Sequence, residues 1–183
     1  MDQVSTTVAV LVGSLRKASI NRKIALGLQQ LAPASLSLEI VEIGHLPLYN
    51  QDYDDNSPES YTAFRQKILA SGSVLFVSPE HNRGMPAALK NAIDIGSRPY
   101  GKSVWSGKPG AVITASPSMV GGFGSSQQIR QSLACLNVLT MPNPETYLGQ
   151  ADKLFDPAGQ LTETGQALLS SFIEHYAQWV QRF

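Results

Sequence analysis

The amino-acid sequence predicts a doubly wound α/β fold, an open parallel sheet of five strands in the order 2-1-3-4-5 with helices on both faces. Three observations predict it. Short runs of continuous, rather than alternating, apolar residues recur along the chain, the pattern of strands buried on both faces. Segments with apolar residues at helical spacing stand between those runs. The polar, glycine- and proline-rich loops follow the first, third and fourth runs, and a sheet of this kind binds ligands outside the carboxyl ends of its strands.

The first run, Thr7 to Gly13, reads as a strand, and Asn21 to Leu31 as a helix with Ile24, Ala25, Leu28 and Leu31 on one stripe, ended by Pro33. Leu36 to Ile43 is strand-like again, so the two runs and their helix form a right-handed parallel βαβ unit. Gly44 to Ser57 reads as a long loop, of a length often functional or partly mobile. Pro58 opens a helix through Tyr61, Phe64, Ile68 and Leu69 that ends near Gly72. Val74 to Val77 is the third strand. Ala87 to Gly96 reads as a helix with Pro86 in its first turn, Gly110 to Ala115 as strand four, and Ser126 to Leu136 as a helix. Val138 to Met141 is the fifth strand, its end blurred by Pro142 and Pro144. A final helix carries Leu168, Phe172, Ile173, Tyr176, Trp179 and Val180 on one stripe. No repeat or linker divides the chain, so residues 1–183 are expected to form one domain.

Composition excludes several classes of function. Fourteen Lys and Arg balance fourteen Asp and Glu, which gives no field for nucleic acid and none for a strongly acidic electron carrier docking on basic partners. With 15% charged residues the surface has room for apolar patches, consistent with a homo-oligomer. The single cysteine, Cys135, excludes an internal disulfide, fits a reducing cytoplasm and is expected to pack as an inert core residue. The N-terminus lacks the basic and apolar regions of a secretory leader, and no run approaches the roughly 20 apolar residues of a membrane helix.

The loop Gly13-Ser14-Leu15-Arg16-Lys17-Ala18-Ser19-Ile20-Asn21 joins the first strand to its helix. A helix start offers unpaired N–H groups and the positive end of a dipole, and Ser14, Ser19, Asn21 and Arg16 add neutral and charged hydrogen bonds. The loop has neither the Gly-Lys-Ser/Thr of a triphosphate loop nor the three glycines of a dinucleotide fingerprint. Side-chain hydroxyls and an amide in their place suit a terminal monophosphate such as that of FMN. Ser19 or Asn21 could equally serve as the cap of the helix. The second loop, Pro79-Glu80-His81-Asn82-Arg83-Gly84-Met85-Pro86, suits a flat ring: proline fixes the backbone at each end, and His81 can pack along the ring. Glu80 is a weak candidate for a catalytic base, and Arg83 a candidate contact for the phosphate of NADPH. The third loop, Ser116 to Gly122, offers hydroxyls and N–H groups to the pyrimidine edge of such a ring. His45, His175, Tyr176 and Trp179 are read as non-catalytic.

On the stretches Gly13 to Asn21, Pro79 to Asn82 and Leu89-Lys90-Asn91-Ala92-Ile93-Asp94, with weaker support from Gly107-Lys108-Pro109 and Gly121-Gly122, the chain resembles the NADPH-dependent FMN reductases, in particular their chromate- and quinone-reducing branch. The resemblance spans nearly the whole chain and implies a flavodoxin-like three-layer sandwich with bound FMN. It implies that Ser14, Arg16, Ser19 and Asn21 hold the FMN phosphate. It further implies that Pro79, Glu80, His81 and Asn82 line the isoalloxazine, with Ser116 and Gly121 near its pyrimidine end. The family commonly carries tyrosine where His81 stands, a departure that bears on ring packing and acceptor preference.

The implied activity is hydride transfer from NADPH or NADH through the flavin to a small acceptor: a quinone, free flavin, azo dye, chromate or ferric complex. The cofactor carries that chemistry, so no acid–base pair or metal is expected of the protein. The implied assembly is a homodimer or homotetramer with FMN near the interface, which would give the C-terminal and Ala87–Gly96 helices an apolar face to cover. Two alternatives are a non-enzymatic flavodoxin-type electron carrier and a flavin- or nucleotide-binding regulatory module. The balanced charge and a phosphate loop without the threonine-rich flavodoxin pattern argue against the carrier.

Overall fold

The computed structural model describes residues 5–183. The expectation about an N-terminal leader concerns a stretch that begins outside the described residues. Strands β1 (Thr6–Val12), β2 (Leu36–Ile40), β3 (Ser73–Ser78), β4 (Pro109–Ala115) and β5 (Leu139–Thr140) pair in parallel in the order β2-β1-β3-β4-β5. Helices α1 (Ile20–Leu31) and α5 (Glu163–Val180) cover one face; α2 (Glu59–Ala70), α3 (Ala87–Gly96) and α4 (Phe123–Cys135) cover the other.

The reason lies in the strand residues themselves. Along β1, Val8, Val10 and Val12 point into the layer with Ile24 and Leu28 of α1 and Phe172 and Ile173 of α5. Ala9 and Leu11 alternate into the opposite layer with Phe64 and Ile68 of α2, Leu89 and Ile93 of α3, Ile129 and Leu133 of α4, and Trp105. Strands β3 and β4 are buried along their whole length, as continuous apolar runs require. At the sheet edge β2 instead alternates, exposing Ser37 and Glu39.

Element ends shift, with β2 stopping at Ile40 rather than Ile43 and α4 starting at Phe123 rather than Ser126, and four further differences concern pairing and packing. The fifth strand is split: β5 pairs with Pro109 and Gly110 at the start of β4, and β6 (Thr146–Leu148) pairs with Ile113, Thr114 and Ala115 at its end. Pro142 and Pro144 fall in the gap, where a residue without an N–H cannot donate to the ladder. On α5 the buried stripe runs through Leu169, Phe172, Ile173, Tyr176, Ala177 and Val180, while Leu168 is exposed. Adjacent leucines leave the phase of a helical stripe undetermined, and packing onto the sheet chose the second. Cys135 is exposed rather than buried, because it ends α4 two residues past Leu133, the last inward position, and so faces away from the sheet. The apolar faces of α3 and α5, expected to await a partner, are already covered by the chain's own two layers.

The core also holds polar groups in fixed pairs. The fully buried Tyr176 hydroxyl donates to the Val74 carbonyl at 2.9 Å and meets the Ser73 hydroxyl, and burial pushes its phenol above the usual range. The long loop Gly44 to Ser57 is tied down at several points. Asn91 of α3, itself buried, accepts from the Tyr49 N–H at 2.8 Å and donates to the carbonyls of Pro47 at 2.9 Å and Leu46 at 3.3 Å. The Tyr61 hydroxyl donates to the Leu48 carbonyl at 2.7 Å.

Replacing Asn91 with Ala strands the Tyr49 N–H and the buried Leu46 carbonyl, while the Pro47 carbonyl keeps the Tyr61 hydroxyl; the loss should cost about 1–3 kcal/mol in urea unfolding. Limited proteolysis should then cut first between residues 44 and 58; an unchanged midpoint and cleavage pattern would show the loop to be held elsewhere.

Candidate functional site

The loops after β1, β3 and β4 meet at the carboxyl end of the sheet and enclose a cleft of about 500 Å³. From the expected set, Ser14, Arg16, Ser19, Asn21, Pro79, Glu80, His81 and Ser116 line it. Asn82 does not; it turns with His81 into a neighbouring groove bounded by Lys90 and Gln128. Gly121 does not line it either. With φ +66° it sits beneath the turn, where a Cβ would lie 2.6 Å from the Tyr147 carbonyl carbon. The remaining lining is largely apolar: Leu15, Ile20, Pro86, Ala88, Ala115 and Pro117.

Gly13 brings the first two loops together. Its N–H donates to the Val77 carbonyl at 2.9 Å, extending the β1–β3 ladder by one rung. A Cβ there would lie 2.7 Å from the Ser78 hydroxyl and 3.3 Å from both Pro79 and Pro86, so any side chain would push the second loop off the first.

The loop beyond Gly13 is rich in donors. From Ser14 to Asn21 no backbone N–H donates to another described residue. Ser19 is the N-cap of α1: its hydroxyl oxygen accepts from the Arg22 N–H at 3.1 Å, leaving the hydroxyl hydrogen to donate elsewhere. Asn21 is 5% exposed and donates weakly to the Ala115 carbonyl at 3.5 Å, while its Oδ1 has no partner. Arg16 is exposed at the rim and forms no ion pair with a described carboxylate. The first turn of α1 contains no acidic residue, so its dipole stays open to an anion. Unpaired amides, hydroxyls, a buried amide side chain and one guanidinium fit a phosphate monoester, which carries two charges and several acceptor oxygens.

The second loop is a tight hairpin. His81 and Gly84 exchange two backbone hydrogen bonds of 2.9 and 3.0 Å, and the residues between them, Asn82 and Arg83, have φ of 49° and 65°. Two central residues of positive φ form the turn whose twist suits a two-residue hairpin. Asn tolerates that geometry; Arg adopts it at some cost. Glu80 is not a free base: its Oε2 accepts from the Gly124 and Ser125 amides at 2.7 and 3.2 Å, and its Oε1 from Arg83 Nη1 at 3.2 Å. The Arg83 side chain is otherwise 82% exposed. Gln128 of α4, which carried no signal in the sequence, accepts from the Met85 N–H at 2.8 Å and secures the far end of the loop. The third loop is held from β6: Ser116 N donates to the Leu148 carbonyl, and Gln150 N to the Ser118 carbonyl, both at 3.0 Å.

A 2-1-3-4-5 sheet with a phosphate-suited loop after β1 and a ring-sized apolar cleft beside it defines a flavodoxin-like nucleotide-binding protein. The sequence profile of the NADPH-dependent FMN reductases matches residues 6–153, and the chain belongs to that family. It is 54% identical to a quinone reductase of Pseudomonas putida over 99% of this chain and 97% of that one. Identity to a 2-hydroxy-1,4-benzoquinone reductase of a Burkholderia species is 43%, over 95% and 96% of the two chains. Among solved structures, FerB, a flavoenzyme NAD(P)H:(acceptor) oxidoreductase from Paracoccus denitrificans, superposes with a TM-score of 0.90 at 38% identity, covering 97% and 98% of the chains. Among the described residues, no helix is long and apolar enough to cross a membrane.

Proposed function

We propose that this chain is an FMN-dependent NAD(P)H oxidoreductase that reduces a small acceptor of the quinone type. The observation that carries the reading is the strip of unpartnered amides from Ser14 to Asn21, with Arg16 at its rim, opening into a cleft whose other walls are mostly apolar. Bound FMN supplies the hydride-accepting ring; the protein binds, orients and shields.

Ser14, Arg16, Ser19 and Asn21 hold the phosphate, with Ser19 bridging the helix cap and the ligand. Pro79, His81 and the Pro86 end of the hairpin border the ring, and Asn82 shapes the hairpin tip. Ser116 faces the pyrimidine end, and Gly121 sets the turn that carries it. Flat apolar walls at Leu15, Ala88 and Pro117 leave room for a second planar molecule and favour a quinone over a strongly hydrated acceptor. Met119, Val120 and Phe123, all about half exposed or more beside the cleft, support a homodimer or homotetramer. A chain with one unpaired cysteine suits a reducing cytoplasm.

An absorption spectrum of the purified protein tests the reading. Flavin bands should bleach on anaerobic addition of NADPH, and NADPH oxidation should proceed steadily with benzoquinone alone. Bleaching without turnover would indicate an electron carrier, and a colourless protein that takes up no FMN would overturn the assignment.

Arg16→Ala removes a charged hydrogen bond to the phosphate and should weaken FMN binding ~10–100-fold, as read by quenching of flavin fluorescence. Riboflavin, which lacks the phosphate, should bind the variant and the parent alike.

Arg83 reaches solvent at the hairpin tip, within the approach path of a nicotinamide dinucleotide. Arg83→Ala should raise the KM for NADPH ~5-fold while leaving that for NADH unchanged, the scale of one exposed charge contact. Equal changes with the two donors would remove Arg83 from phosphate recognition.

A further inference from the structure

We infer that Glu80 is a positioning residue that clamps the ring-side hairpin to the start of α4, and so sets the separation of the two loops at the ring end of the cleft. The inference rests on the reading that this cleft holds FMN. Helix α4 has no acidic residue in its first turn, and its N-cap position is Gly122, which has no side chain to cap with. The cap comes instead from a residue 44 positions earlier. Glu80 Oε2 accepts from the Gly124 amide at 2.7 Å and the Ser125 amide at 3.2 Å, and its side chain is only 12% exposed. A carboxylate shared by two amides at a helix start meets both the unpaired donors and the dipole there.

The neighbouring residues fit a clamp. A Cβ on Gly124 would lie 2.6 Å from the Arg83 carbonyl oxygen and 3.0 Å from Glu80 Oε2, so the hairpin backbone sits directly on the helix start. Gln128, one turn further along α4, accepts from the Met85 N–H at 2.8 Å and fixes the exit of the hairpin. The hairpin holds two non-glycine residues at positive φ, a conformation that persists where its surroundings enforce it. Pro79 and His81, the neighbours of Glu80, both line the cleft, so any movement of Glu80 moves the wall.

The arrangement also gives the two helix starts at the cleft opposite roles. That of α1 is open to an anion, while that of α4 is already filled by the Glu80 carboxylate.

The test begins with FMN-free, ¹⁵N-labelled protein. Glu80→Ala should speed amide hydrogen exchange at Gly84, Gly124 and Ser125 ~10-fold or more, the scale of a lost charged hydrogen bond. Glu80→Gln, which keeps an acceptor oxygen without the charge, should restore much of the protection. The same proteins are then titrated with FMN: the dissociation constant should rise ~10-fold for Glu80→Ala and fall back towards the parent value for Glu80→Gln. Exchange in Glu80→Ala equal to the parent's would overturn the clamp. Faster exchange with unchanged FMN affinity would overturn the positioning role. If Glu80→Ala does not fold, Glu80→Gln decides: parental exchange and affinity in that variant support a neutral acceptor as sufficient for the clamp, while a loss of affinity at parental exchange rates overturns it. Failure of the parent itself to bind FMN strikes the functional reading, and the exchange data on the FMN-free protein still decide the clamp.

Discussion

The rung between the Gly13 N–H and the Val77 carbonyl, 2.9 Å long, is the contact on which the cleft depends. It continues the β1–β3 ladder one residue past the strand and delivers two loops to the same point in space. The absent Cβ of Gly13 then lets Pro79 and Pro86 close onto the first loop. Both strands are held from two sides, through Val8, Val10 and Val12 below and Leu11 and Phe76 above, so neither end can shift without disturbing a packed layer. A parallel sheet places its loops at one end; burial on both faces makes that placement rigid.

The two ends of the cleft are built by different physics. The end proposed for the phosphate is rich in donors without partners, namely loop amides, the Ser19 hydroxyl and Arg16, with the Asn21 side chain, whose Nδ2 bonds only weakly to Ala115, beside them. At the ring end the donors are already satisfied within the protein, those of α4 by Glu80 and that of Met85 by Gln128. What is left there is apolar wall. Such a division suits one end to binding by charge and hydrogen bonding and the other to binding by shape, as the proposed function requires.

Much of this was legible in the sequence because it depends on local pattern. Continuous apolar runs marked β1, β3 and β4, and their order followed from the doubly wound class that five strands alternating with helices imply. The donor loop was legible because its residues lie within nine consecutive positions. What was hidden depended on distance or on phase. The contact of Glu80 with Gly124 spans 44 residues, and nothing in either segment announces the other. Gln128 is one of two adjacent glutamines on a polar helix face. The split of the fifth strand was half visible in Pro142 and Pro144, yet its second part, Thr146 to Leu148, is too short to carry a period. Leu168 and Leu169 offered two phases for one stripe, and Cys135 sat at a helix end where the inward direction is lost.

The hairpin between Pro79 and Pro86 separates the residues that anchor it from those it presents at its tip. Its anchors are backbone groups and two long side chains: Glu80, which reaches the start of α4, and Gln128, which reaches from α4 to the Met85 N–H. The residues at the tip, His81, Asn82 and Arg83, are exposed, and His81 also faces the cleft. A change from tyrosine to histidine at position 81 therefore alters the surface offered to a planar ligand, while the ladder bonds between residues 81 and 84, which are main-chain bonds, remain. The phosphate loop, more than 50 residues away in sequence and fixed by its own strand and helix, is untouched by such a change. On the proposed reading, acceptor preference would vary at the tip while cofactor retention is set at Ser14 to Asn21.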